Sequence, residues 1–411
     1  MLVYLINIAL IVIWALIFNI GKKTKLKKVI FVGICFLQLF LISAYRYRVG
    51  NDYSMYAVGF IKMAKSGFAE MSYEDWEIGF ILFNKIIGVF TENPAVFVWI
   101  SSLVVFIGPA YVVARYSTNP FISMFLYVNL YLFYLDMNFI RQAIAMSIMC
   151  FAYGFLVNRK FWRFLLLVAI AATFHLTVIY MIPVFLVCLI PVSSRSHILY
   201  LFGLLFYYIL SDGMLKILLS KFHTEYSNSE FIEKGVFFYY SFFPLLLCLG
   251  MVLISYFVKE RSRTLNVLIH LTLMMGFWQI VMTKHSLFER FSYYTMIFVV
   301  LAVPEALNAF RTQLTENFNE KFSKITYKNG ENTDGSMSRT FASKAKRQAS
   351  SIVAMTTIAI LLLAFVYNMV GLIVPKRGVH GVLPYQLQSG VEFDLPSIDG
   401  FFKGWQNTDS E

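Results

Sequence analysis

Apolar residues in this chain fall in long blocks separated by short polar connectors. The blocks lie near residues 2–20, 29–45, 95–114, 119–135, 138–157, 162–174, 176–190, 198–212, 235–258, 264–283, 290–310 and 351–374. Most run to about 17–24 residues, the length a helix needs to cross the roughly 30 Å apolar core of a bilayer. The pattern predicts an all-α, polytopic integral membrane helical bundle of about 12 membrane segments. The first block is long for a signal peptide and lacks a basic leader and a small-residue cleavage site, so it is read as a span. Two regions depart from simple crossing. "EIGFILFNKIIGVF" (77–90) is too short to cross and carries Lys85, so it reads as an amphipathic helix at the outer interface, like "SMYAVGFIKMAK" just before it. The block 162–190 is either one tilted helix or two short ones meeting at "TFHLT", and the arginines on both sides favour two.

Charge orients the bundle. "GKKTKLKK" (21–28) holds five lysines and no acid, which places it on the cytoplasmic side. Alternation from there puts "NRKFWR" (158–163), "PVSSRSH" (191–197), "KERSR" (259–263) and the stretch 311–350 on the same side. The outer loops are then 46–94, 213–234, 284–289 and the tail after 375. Four regions follow: a catalytic membrane core over 1–305 with outer loop 46–94, a basic polar cytoplasmic loop over 306–350, a last span over 351–374, and an outer polar tail over 375–411.

Composition agrees with the pattern. The 411 residues are 59% hydrophobic and 14% charged, where a soluble domain carries about a quarter charged residues. The net charge of +12 reads as basic cytoplasmic loops, and no nucleic-acid partner is expected. The four cysteines (Cys35, Cys150, Cys188, Cys248) sit inside apolar blocks without metal or disulfide spacing, as small core residues do. No HExxH, DxD, GxSxG or glycine-rich phosphate loop occurs, so neither metal nor cofactor is expected.

Four distant segments bring ionisable groups to the outer side. "YRYRVGNDYSMY" (45–56) supplies Arg46, Arg48, Asp52, Tyr53 and Tyr56; "DMNFIRQAIAMSI" (136–148) supplies Arg141 and Gln142. "TFHLT" supplies His175, and "TKHSLFERFSYY" (283–294) supplies Lys284, His285, Glu289, Arg290 and Tyr294. A charge at bilayer depth costs about 2.5–3.5 kcal/mol and faces protein or water. Arginine's planar fork grips phosphate oxygens two at a time, and tyrosines offer faces and hydroxyls to sugars. Together these point to a polyanionic glycolipid such as a lipid diphosphate. Blander roles stand beside this one. Arg46 and Arg48 can snorkel to headgroups, Asp52 can cap the helix starting at Tyr53, and His175 can be a structural histidine satisfied by a carbonyl. Glu289 and Arg290 can be a helix-end ion pair, and His197, His223, His270 and His380 have no partner assigned by sequence.

"RVGNDYSMY", with an arginine followed by G-x-D and a tyrosine, resembles the EpsG branch of the Wzy-type polysaccharide polymerases, as does "FIRQAIAMSI". "FHLTVIYMIP" (174–183) and "RFSYYTMIFVV" (290–300) are similar to its later landmarks, so the resemblance runs in order from about residue 40 to 305. It implies a glycosyltransferase of the bacterial plasma (inner) membrane whose site faces the periplasm or exterior. Such enzymes join oligosaccharide repeat units carried on undecaprenyl diphosphate, as both donor and acceptor, into exopolysaccharide, capsule or O-antigen, alongside flippase and chain-length regulator proteins. The implied functional residues are Arg48, Asp52, Tyr56, Arg141, Gln142, His175 and Arg290. Arg141 and Arg290 would then stabilise the leaving diphosphate and Arg48 orient it, while Asp52, His175 or Glu289 acts as base. Two other classes fit parts of the pattern. A flippase of lipid-linked oligosaccharides would line a path through the bilayer with the same residue types, and a membrane acyltransferase modifying the glycan would use His175.

Overall fold

A computed structural model of the chain describes residues 1–19, 24–68, 70–73, 76–222, 238–328, 335–376 and 379–387. The described residues form helices and connectors with no strand, as the sequence predicts. The order is α1 (Leu2–Asn19), α2 (Lys25–Ala44), α3 (Tyr53–Lys65), α4 (Ile78–Gly88), α5 (Pro94–Tyr116), α6 (Pro120–Asn129), α7 (Leu132–Asn138) and α8 (Ile140–Val157). There follow α9 (Phe161–Ala172), a 3-10 turn (Leu176–Tyr180), α10 (Met181–Val187), α11 (Ser194–Phe222), α12 (Tyr239–Phe257) and α13 (Arg263–Val281). A second 3-10 turn (Ser286–Phe288), α14 (Glu289–Met296), α15 (Val299–Lys328), α16 (Gly335–Ile373) and a last 3-10 turn (Val379–Gly381) close the sequence.

Each apolar block coincides with a helix, and fewer of these helices reach crossing length than the 12 membrane segments expected. Among the described residues six helices are long and apolar enough to cross, or eight if α6–α7 and α14–α15 each count as one bent span. Four further apolar helices, Leu2–Phe18, Ile78–Gly88, Phe161–Ala172 and Leu176–Val187, fall below crossing length by themselves. A block count cannot separate a crossing from two half-helices, because the apolar pattern is the same. The 162–190 block is indeed two pieces, broken at His175. The helix over 77–90, α4, is 11 residues long and too short to cross, as expected.

The stretch 306–350, expected as a loop, is helical over its described part. It is the polar end of α15 running into the polar start of α16, with Phe322 stacked on Phe341 at 5.8 Å and Lys344 over the Phe322 ring. Most of the outer loop 213–234 and the tail beyond 387 lie outside the described residues.

Burial separates interior helices from lipid-facing ones. Nearly all of Ile122–Asn138 is buried, and a helix apolar on every face belongs inside. Of the crossing window in α16, only 11% is buried. The helices α5 and α8 approach closely at Gly108, whose N–H donates to Ser147 Oγ at 3.0 Å. A Cβ there would collide with the Ser147 backbone, so a small residue is what allows the two backbones to meet. At one end of the bundle six chain features converge: the α2–α3 connector, the start of α4, the α7–α8 junction, the α9 turn, the start of α14 and residues 379–387.

Candidate functional site

Glu77 organises one half of this end. It opens α4, its carbonyl accepting from the N–H groups of Phe80 and Ile81. Its side chain reaches two elements distant in sequence. Oε2 accepts from Arg141 at 2.9 Å, and Oε1 accepts from His175 Nδ1 and the Leu176 N–H, both at 3.0 Å. Arg141 stands at the first turn of α8, its guanidinium 6.0 Å from the Trp76 ring, with the Tyr56 hydroxyl also interacting with it. Burial pulls the Glu77 carboxyl upward, but the bonds from His175 and Leu176 and the charge of Arg141 outweigh that and hold it at about 2. His175 moves the other way, because burial lowers it by more than Glu77 raises it. A neutral imidazole donating from Nδ1 to Glu77 leaves Nε2 with a lone pair, and that buried atom has no hydrogen-bond partner among the described residues. A carboxylate fixing the tautomer of a histidine whose other nitrogen is open is the arrangement of a general base.

The other half holds its charges differently. Asp52 precedes α3, its backbone N–H donating to Asn138 Oδ1 at 3.0 Å, yet its carboxylate makes no cap bond. The capping role is therefore unfilled. Burial raises the Asp52 carboxyl above its ordinary range, with Arg290, His380 and Arg141 pulling partly back. Arg290 lies in the first turn of α14, its guanidinium 6.0 Å from the Phe139 ring and in no ion pair among the described residues. The helix-end pair with Glu289 does not form, since Glu289 Oε1 instead meets His380 Nε2 at 3.2 Å. Gln142 donates from Nε2 to the Arg290 carbonyl at 2.6 Å, so it sets Arg290 from behind. Tyr294 shares its hydroxyl with Thr177 Oγ1 at 3.1 Å, joining α14 to the His175 turn.

The remaining candidates are placed elsewhere. Arg46 is 1% exposed. It donates to the carbonyls of Ser43 and Met137 at 2.6 and 2.8 Å and to the Ser43 hydroxyl, so it pins α2 to the α7–α8 junction and does not snorkel. Tyr53 is buried with its ring beneath Arg46. Arg48 is exposed, has φ +52° and lies over the Tyr47 ring. Lys284 donates to the Tyr208 carbonyl of α11 at 2.9 Å, and His285 is buried near Phe288.

Two acids, Glu77 and Asp136, and one pairing of a third matter that the sequence did not single out. Glu77 joins Arg141 to His175. Glu289 was noted, but not its histidine. Asp136 is buried in α7 and accepts from the hydroxyls of Tyr127 and Tyr293, which ties α14 to the core. An acid opening an apolar helix, just after Glu74 and Asp75, was the one sign of Glu77 in the sequence. Among the described residues no group of three metal ligands occurs.

The EpsG family model matches residues 29–318, more than half of the chain. The chain belongs to the EpsG family. EpsG proteins form a Wzy-like polysaccharide polymerase family, and the six to eight crossing-length helices make this member a multi-pass membrane protein. No curated protein and no solved structure matches it significantly. The match to EpsG takes in Asp52, Glu77, Arg141, His175 and Arg290, and ends before residues 379–387.

Proposed function

We propose that this EpsG-family protein is a glycosyltransferase that polymerises undecaprenyl-diphosphate-linked oligosaccharide repeat units at the outer face of the plasma membrane. The products would be exopolysaccharide, capsule or O-antigen. The observation that carries this reading is the pair Asp52 and Arg290. Opposite charges stand near each other, and among the described residues neither side chain has an ion-pair partner, beside an Arg141 already held rigid by Glu77.

The chemistry follows from the geometry. The acceptor hydroxyl loses its proton to a base, Asp52 or His175 Nε2, as its oxygen attacks the anomeric carbon of the donor sugar. The bond from that carbon to the diphosphate oxygen breaks, a glycosidic bond forms, and the polyprenyl diphosphate departs carrying the electron pair. Charge grows on the leaving oxygen, where the open fork of Arg290 can pair with it. Arg141 adds a second cation whose orientation is already set, so little reorganisation remains for the transition state. Tyr56 lies beside Arg141, and Tyr294 near Arg290. Flippase and chain-length regulator proteins are the partners such a reaction needs.

Deletion of the gene in its host, complemented with wild type, Asp52→Asn, Arg141→Ala or Arg290→Ala, tests this. Single lipid-linked units on the outer leaflet with long polymer absent in the null and the variants are expected. Units trapped on the cytoplasmic side would mean a flippase, and normal polymer with an altered modification would mean an acyltransferase.

A further inference from the structure

Residues 379–387 lie beyond the EpsG match, after the last span, yet they are bound into the site. The Gly50 and Asn51 N–H groups donate to the carbonyls of Gly381 and His380 at 3.0 and 3.1 Å. The Tyr47 N–H donates to the Gln386 carbonyl at 2.9 Å, and Arg46 and Leu387 form an antiparallel bridge. Two tyrosines lock the segment from both sides. Tyr4 donates to the Val382 carbonyl at 2.9 Å, and Tyr385 donates to the Ile42 carbonyl at 2.8 Å. Val379 and Val382 are buried. The turn uses left-handed backbone at His380 (φ +53°) and Gly381 (φ +71°), the first uncommon for a residue with a side chain. A Cβ at Gly381 would collide with Asn51. The segment is thus a strap that fixes the loop immediately before Asp52.

This backbone delivers one side chain. His380 meets Glu289 through Nε2, and its ring sits edge-on 5.3 Å from Phe139, the same ring that carries Arg290. Asp52 therefore has charged or titratable neighbours from three elements: Arg290 of α14, Arg141 of α8 and His380 of the strap. On either side of it a carboxylate holds a histidine, Glu77 with His175 and Glu289 with His380.

We propose that the strap is a working part of the site and that His380, held by Glu289, is a positioning residue that acts through Asp52. Its backbone fixes Asn51 and so the loop leading into Asp52, while its imidazole, held by Glu289, adds a polar group against the same Phe139 ring as Arg290. This inference rests on the polymerase reading.

The test uses the full-length protein in vesicles from the deletion strain, with the host's own lipid-linked units as substrate. His380→Phe retains a ring to pack on Phe139 but removes both nitrogens. At normal protein abundance the proposal expects kcat to fall about 10- to 100-fold. The acidic limb of the pH–rate profile should also move to higher pH, because a group that lowers the Asp52 carboxyl is gone. Glu289→Gln combined with His380→Phe should be little worse than His380→Phe alone, since Glu289 acts through the histidine. His380→Asn, which tolerates left-handed backbone and retains hydrogen-bonding groups, should recover part of the loss. Wild-type turnover and an unmoved pH profile in His380→Phe would overturn the proposal. So would additive losses in the double variant. If His380→Phe does not accumulate, Glu289→Gln alone decides, with a reduced rate and a shifted limb supporting the proposal and an unchanged rate refuting it. Arg141→Ala runs in parallel: polymer persisting in that variant would sink the polymerase reading itself, whereas polymer lost there but normal in His380→Phe would sink only the strap.

Discussion

Arg46 and Arg290 come from equally suggestive sequence, one from "YRYRVGND" and the other from "FERFSYY", and the fold treats them in opposite ways. Arg46 is sealed inside, spending its donors on Ser43 and on the Met137 carbonyl. Arg290 has its backbone fixed by Gln142, while its guanidinium meets an aromatic ring and no carboxylate pairs with it among the described residues. The first arginine is committed to packing and the second is left available. Arg141 lies between these cases, oriented by Glu77 yet 17% exposed. For a ligand with several negative charges this gradation is useful. An arginine sealed inside with both terminal nitrogens engaged has little to offer a phosphate, and one with no support must be ordered when the ligand binds.

The comparison makes its strongest demand on the two extremes. Arg290→Ala should lower turnover about 10²- to 10³-fold, the scale seen when a single transition-state charge contact is removed. Its melting temperature in detergent should barely change. Arg46→Ala should do the reverse, reducing folded protein at a cost of about 1–3 kcal/mol for each acceptor it leaves orphaned. If Arg46→Ala folds normally and loses only activity, the division between packing and available arginines is wrong.

Arg141→Lys preserves charge but loses the fork, so turnover should fall about tenfold with abundance unchanged. Wild-type rate would remove Arg141 from contact with the leaving group. Glu77→Gln sharpens the contrast through pH. Because the folded carboxyl is held at about 2, below its ordinary value of 4.5, its stabilisation is present in full above about pH 4.5 and lost as pH falls through about 2. Wild-type melting temperature should therefore drop across that window, and Glu77→Gln should flatten the drop. Smallest of all is Lys284→Ala. That side chain is engaged by α11, so the rate should stay within about twofold, consistent with an exposed charge contact.

Apolar periodicity was enough to read a helical membrane bundle, since block length answers to bilayer thickness. It could not tell a crossing from a pair of half-helices at 119–138, whereas at 162–190 the flanking arginines did favour two pieces. The polar face of 306–350 looked like a loop because its helices find apolar partners mainly in each other, as at Phe322 and Phe341. At the site, charge in apolar sequence drew attention to Arg141 and Arg290, which the fold places near Asp52 and His175. Glu77 was hidden because an acid at a helix start has many ordinary explanations. His380 was hidden more deeply. Its position depends on a chain reversal spanning more than 300 residues, from Asn51 to the strap, and no local pattern encodes that contact.

The most direct test of the central claim is a reconstituted reaction. Purified protein in lipid nanodiscs would receive lipid-linked repeat units, and polyprenyl diphosphate release would be measured against linkages formed, for wild type and Arg290→Ala. The account predicts one polyprenyl diphosphate released per new linkage in wild type and a rate lower by about 10² or more in Arg290→Ala. Linkages formed without diphosphate release, or an Arg290→Ala rate equal to wild type, would contradict it.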